Sequence, residues 1–111
     1  MNEIEKIIEE NKKLFPLLDT YIEKASPYPS IEEFCLLHKV DISDFKHWIT
    51  LDKDLRAMVR KLHLKAYVNL ERYLILDVKT ISFGGNEGKE YKLDKAGLTA
   101  KLKELKEALE E

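Results

Sequence analysis

Ser43, Lys46, His47 and Thr50 recur at the i, i+3, i+4, i+7 spacing of a single helix face, and all four can hydrogen-bond. Shown together by a helix, they suit contact with a nucleic-acid duplex. Ser, Lys, His and Thr all reach phosphate oxygens or base edges, and in this reading Lys46 and His47 lead. A basic series follows them: Lys53, Arg56, Arg60, Lys61 and Lys65. Arg56 and Arg60, with Lys53 less closely, share a face and could clamp phosphates. The alternative for both groups is an ordinary solvated helix surface, which carries the same residue types.

Other chemistry has little support. His38, His47 and His63 are scattered and lack cysteine or carboxylate partners at ligand spacing, so no zinc site is expected. Glu71 and Asp77 make no better metal pair. GGNEGK has the glycines of a phosphate loop but not its spacing, and a hairpin turn explains it better. No nucleophile–base pair or acid–base carboxylate pair stands out, so neither catalysis nor a cofactor is expected. The single cysteine, Cys35, falls on an apolar helix face, cannot form an internal disulfide and reads as structural in a reduced, cytoplasmic setting.

The elements that would position these residues are read from caps and periodicity. Ser30 is a good N-cap with Glu33 three residues on, a capping box opening a helix through His38. Asp41 caps a second helix in which Ile42, Phe45, Trp48 and Ile49 make the apolar face and Ile42, Ser43, Lys46, His47 and Thr50 point outward. Two helices this short with so few residues between them cross steeply, as in a helix-turn-helix spanning 30–50. Upstream, Asn2 can cap a helical stretch that Pro16 should break, predicting a flexible or separate segment to about Leu14 and a helix from Pro16 to Lys24. Ser26-Pro27-Tyr28-Pro29 is a stiff linker.

Downstream, Asp52 can cap a helix to about Leu76, roughly 35 Å long at 1.5 Å per residue. Leu55, Met58, Val59, Leu62, Ala66, Val68, Leu70, Tyr73 and Leu74 supply its apolar positions. That exceeds what a trihelical core needs, so the surplus should meet another chain. Residues 78–93 alternate around GGNEG and read as a β-hairpin with its tip at Gly84 to Gly88. From Asp94 to Glu111, Ala96, Leu98, Leu102, Leu105 and Leu109 form a narrow stripe that suits a helix seam or a docked partner. The fold expected is mainly α: a trihelical helix-turn-helix domain, then a long helix, a hairpin and a C-terminal helix. Residues 1–54 form the helical head, 55–93 an oligomerisation region and 94–111 a partner-docking segment.

Composition sets limits on this picture. The chain has 111 residues with 19 basic and 21 acidic side chains, net −2. Residues 26–50 carry two basic and four acidic groups, whereas 51–76 carry six and three. Because affinity for duplexes rests on neutralising phosphates, one copy should bind weakly. No apolar window is long enough to span a membrane, and the N-terminus lacks the basic start of a secretory signal.

From Pro29 through Trp48 the chain resembles the helix-turn-helix of small terminase subunits, the DNA-packaging proteins of tailed bacteriophages. The resemblance lies in Ser30-Ile31-Glu32 opening the first helix, Cys35 at the small-residue position, Val40 in the turn, and Phe45 with Trp48 closing the second helix. Asp52-Lys53-Asp54-Leu55 also fits. Lys39 stands where such turns commonly have glycine, so the turn must be reached without a residue that favours positive φ. The resemblance implies a non-enzymatic homo-oligomer, a ring or a dimer. It would bind double-stranded viral DNA in the host cytoplasm and hand it to a large, ATP-hydrolysing terminase subunit. Many weak sites on one DNA would offset the low charge of each copy. The alternatives are a small dimeric transcription regulator, or a protein-interaction module in which the motif is only scaffold.

Overall fold

The computed structural model describes residues 2–24, 28–75, 80–84 and 90–110. They are mainly α, with six helices: α1 (Glu3–Asn11), α2 (Phe15–Lys24), α3 (Ile31–Leu37), α4 (Ile42–Leu51), α5 (Lys53–Ile75) and α6 (Lys95–Glu110). Two five-residue segments between α5 and α6, β1 (Thr80–Gly84) and β2 (Glu90–Asp94), pair antiparallel with Thr80 opposite Asp94 and Gly84 opposite Glu90. Of the turn expected at Gly84 to Gly88, all but Gly84 lies outside the described residues, as do the expected strand start at 78–79 and residues 26–27 of the Ser26–Pro29 linker.

Most helix starts follow from side-chain caps. Asn2, Ser30, Asp41 and Asp94 each accept an amide proton from the residue three further on, at 2.8, 3.1, 2.9 and 2.8 Å, satisfying donors that the first helical turn leaves orphaned. The capping box at Ser30 is only half as expected. Glu33 does not close it directly: the Ser30 amide donates to the Tyr21 hydroxyl, which donates in turn to Glu33 Oε1, both at 2.9 Å. Burial and this carboxylate push the Tyr21 hydroxyl pKa far up, so it stays protonated. Tyr21 thus ties α2 to the first turn of α3.

Before Leu14 the chain forms a helix of its own, separate from α2 as one of the two expectations had it, and that helix is docked on the rest of the fold. α1 is a capped helix that packs on α4, and Asn11 at its end is 1% exposed, its amide donating to Asp52 Oδ2 at 3.0 Å. Pro16 does break the helical stretch, but as the second residue of α2, where a missing amide proton costs nothing.

Two apolar clusters share α5. Leu18, Tyr21, Ile22, Phe34, Cys35, Phe45, Leu55, Val59 and Leu62 join α2, α3, α4 and the first half of α5. Ala66 and Leu70 from the second half meet Leu98, Leu102 and Leu105 of α6, with Tyr28, Tyr67, Tyr73 and Leu74 at the margins. The leucine stripe of α6, read from the sequence as a helix seam or a partner-docking surface, forms a seam with α5 through Leu98, Leu102 and Leu105. Val68, expected among the apolar inward positions of α5, is instead 48% exposed. Lys65 caps the end of α2, its ammonium donating to the carbonyls of Ile22 and Glu23. No helix among the described residues is long and apolar enough to cross a membrane.

Candidate nucleic-acid interface

α3 hands over to α4 through a tight, fully bonded turn. The Val40 amide donates to the Cys35 carbonyl at 2.8 Å and the Lys39 amide to Leu36 at 3.5 Å, the two bonds that close a helix with a left-handed residue between cap and exit. Lys39 is that residue, at φ 56°. The turn is thus reached through positive φ after all, on a side chain that disfavours it. Lys39→Gly is expected to raise unfolding free energy by about 0.5–1 kcal/mol, glycine's larger unfolded-state entropy offsetting part of the relieved strain. Urea denaturation measures this, and a loss of stability would contradict the strain assigned to the turn.

Phe45 anchors α4 from below. It is fully buried, 5.9 Å from the Phe34 ring and 6.4 Å from the Trp48 ring, centroid to centroid. With that side inward, Ser43, Lys46, His47 and Thr50 are all exposed on the opposite face. Ile42 does not join them; it is half-buried and packs on the core. The face is not uniformly free, because the Thr50 hydroxyl donates to the His47 carbonyl at 2.6 Å and keeps only acceptor capacity for a ligand. Asp41 and Asp44 are exposed at the N-terminal end of the same helix, where they repel phosphate.

Arg56 stands at the other end of α4. Its Nη1 donates to the carbonyls of Ile49 and Thr50 at 3.3 and 3.2 Å, closing the helix C-terminus and leaving the other guanidinium donors to solvent. The structure thus joins Arg56 to the α4 face, which spacing alone did not suggest. Lys53 and Arg60 are exposed on the same flank of α5 as Arg56. Lys61, by contrast, pairs with Asp19 at 3.4 Å on the surface, and Lys65 is engaged with α2.

Cys35, His38 and His63 lie in or against the core. Burial pushes the Cys35 thiol up to about 11, so it stays an unreactive thiol in the core. His38 lies against Phe34 with ring centroids 4.8 Å apart, and burial lowers the His63 pKa. Among the described residues no three His, Cys, Asp or Glu side chains gather where they could hold a metal ion. A shallow cleft of about 180 Å³ between α1 and α4, lined by Ile7, Asn11 and Trp48 with Glu3, Lys6 and Glu10 at its rim, presents almost only apolar surface. Sequence reasoning missed Asn11 and Tyr21 as positioning groups, and neither carries a local signal. Compared with protein-family models, curated proteins and solved structures, the chain matches none of them.

Proposed function

We propose that the chain is a non-enzymatic protein that binds double-stranded DNA through a helix-turn-helix, α3 and α4, and acts as one of several identical copies. The observation that carries this reading is the simultaneous exposure of Ser43, Lys46, His47 and Thr50 on one face of α4, with Arg56 at its end. Lys46 and His47 would lead at base edges or phosphates, with Ser43 and Thr50 beside them and Lys53, Arg56 and Arg60 on the backbone. Such a chain fits the small subunit of a phage terminase, which would gather viral DNA and pass it to a motor subunit in the host cytoplasm. The β-hairpin and long helix would serve assembly. Since α5 already covers the α6 leucines, contact with the motor would fall to the charged outer side of α6.

Fluorescence anisotropy on a duplex at low salt tests the DNA half. Lys46→Ala with His47→Ala should weaken binding by roughly tenfold or more, and affinity should fall as salt rises. Unchanged binding by the double variant would overturn the assignment of α4. The acidic Asp41 and Asp44 beside that face favour a second reading, a protein-interaction module with the motif as scaffold. The absence of any salt-dependent DNA binding by the unaltered protein would overturn the DNA reading and support that module instead.

A further inference from the structure

α5 carries a second register on the side away from its own core. Ala57, Lys61, Leu64, Val68, Glu71 and Ile75 follow a 4-3-4-3-4 spacing, the a/d repeat of a helix that pairs with another helix. At about 100° per residue this register lies on the opposite side of α5 from Ala66 and Leu70, which face α6. All six residues are exposed, with Leu64 at 52%, Val68 at 48% and Ile75 at 76%. Three large apolar side chains in one row, each about half exposed or more, are a surface that water disfavours.

We propose that this row pairs antiparallel with the same row of a second copy of the chain. Charge selects both the occupant and its direction. The row mirrors itself about position 66. An antiparallel partner therefore sets Lys61 against Glu71, Leu64 against Val68, and Ala57 against Ile75, each pair made twice by two-fold symmetry. A parallel partner in register sets Lys61 on Lys61 and Glu71 on Glu71, and like charges facing each other oppose association. Lys61 already touches Asp19, and the Glu71 carboxylate raises the pKa of the Tyr67 hydroxyl one helical turn away. Their side chains remain largely open to solvent, so a partner's charge joins these contacts without displacing them. The contact closes on itself and gives a dimer; a ring would need a further surface. This inference rests on the assembly half of the proposed function and specifies the surface that makes the pair.

Sedimentation equilibrium on the full chain tests it. The unaltered protein should show twice its 13.0 kDa mass at micromolar concentration. Lys61→Glu and Glu71→Lys should each weaken the dimer by roughly tenfold or more, and the two changes together in one chain should restore it. Val68→Asp should give a monomer with unchanged far-ultraviolet circular dichroism. Under mild oxidation, Ala57→Cys mixed with Ile75→Cys should form a mixed disulfide, while neither alone cross-links. A disulfide between two Ala57→Cys chains would mean a parallel pair and overturn the antiparallel arrangement. A dimer indifferent to Val68→Asp would overturn this surface and leave the assembly half standing. An unaltered protein that stays monomeric would overturn both. DNA binding by the Val68→Asp monomer reads the helix-turn-helix separately.

Discussion

Asp52→Ala is expected to lower unfolding free energy by about 3 kcal/mol, because that one carboxylate serves two buried partners. Its Oδ1 accepts the amides of Asp54 and Leu55 at 3.0 and 3.2 Å, capping α5, while Oδ2 takes the Asn11 amide from the end of α1. Losing the cap costs about 1 kcal/mol. Leaving the Asn11 amide buried without a partner costs about 1–3 kcal/mol more. The total is a large share of the roughly 5–15 kcal/mol that holds a domain of this size together. Asp52→Asn should cost less, since one oxygen can still cap α5 and the Asn11 amide can turn to offer its own oxygen. Urea unfolding followed by circular dichroism measures both variants. A loss below about 1 kcal/mol for Asp52→Ala would mean the Asn11 contact contributes nothing beyond the cap.

The same substitution bears on the candidate interface. The Arg56 amide donates to the Asp52 carbonyl at 3.0 Å, and the Arg56 guanidinium closes the end of α4. When the first turn of α5 frays, Arg56 loses its fixed place beside Thr50. A double-mutant cycle with Asn11→Ala separates the parts. If the two groups act as a pair, the double variant costs less than the two single losses added together, because neither partner is left buried alone. Trp48 borders the cleft between α1 and α4, so its fluorescence reports whether α1 leaves when the pair is broken.

What could be read from the chain and what could not divides along sequence distance. Ser30, Asp41 and Asp52 announce their helices because a cap is a contact with residues two or three positions on. Phe45 and Trp48 announce the buried face of α4 for the same reason, since a helix brings i and i+3 together. The Asn11–Asp52 bond spans 41 positions, and no local pattern distinguishes this asparagine from any other in a polar helix. Tyr21 carries no local signal either; that its hydroxyl enters the capping box of α3 depends on how α2 and α3 pack, nine and twelve positions apart. Lys39 shows the limit of propensity: the turn needs positive φ, and the surrounding bonds impose it on a lysine. In α5, apolar residues on two opposite sides blur the period, which is why Val68 reads as core although it faces solvent. For α6 the stripe is legible but its occupant is not, because a leucine row looks the same whether α5 or another protein covers it. The DNA reading of the α4 face rests on residue type and exposure, and its neighbours Asp41 and Asp44 point the other way.

Phe34→Ala is expected to be the most damaging single change, costing about 3–5 kcal/mol. Phe34 is fully buried, and its ring lies 5.7 Å from Tyr21, 4.8 Å from His38 and 5.9 Å from Phe45. It is thus the side chain through which α2, α3 and α4 meet. Truncation leaves a cavity that these rings cannot fill without leaving their rotamers, so the cost includes lost contacts as well as lost burial. Phe34→Leu keeps most of the volume and should cost under about 1.5 kcal/mol. Near-ultraviolet circular dichroism should register the loss of aromatic packing in the alanine variant, and urea unfolding should give its energy. A penalty near that of Phe34→Leu would show that the three helices collapse around the gap. The proposed duplex binding depends on the same geometry. Phe34 sets where Phe45 sits, and Phe45 sets which face of α4 meets solvent, so Phe34→Ala should abolish duplex binding under conditions where Phe34→Leu retains it. Equal binding by both would mean that the α4 face is not oriented by this core, and the case for a helix held ready to meet DNA would fail with it.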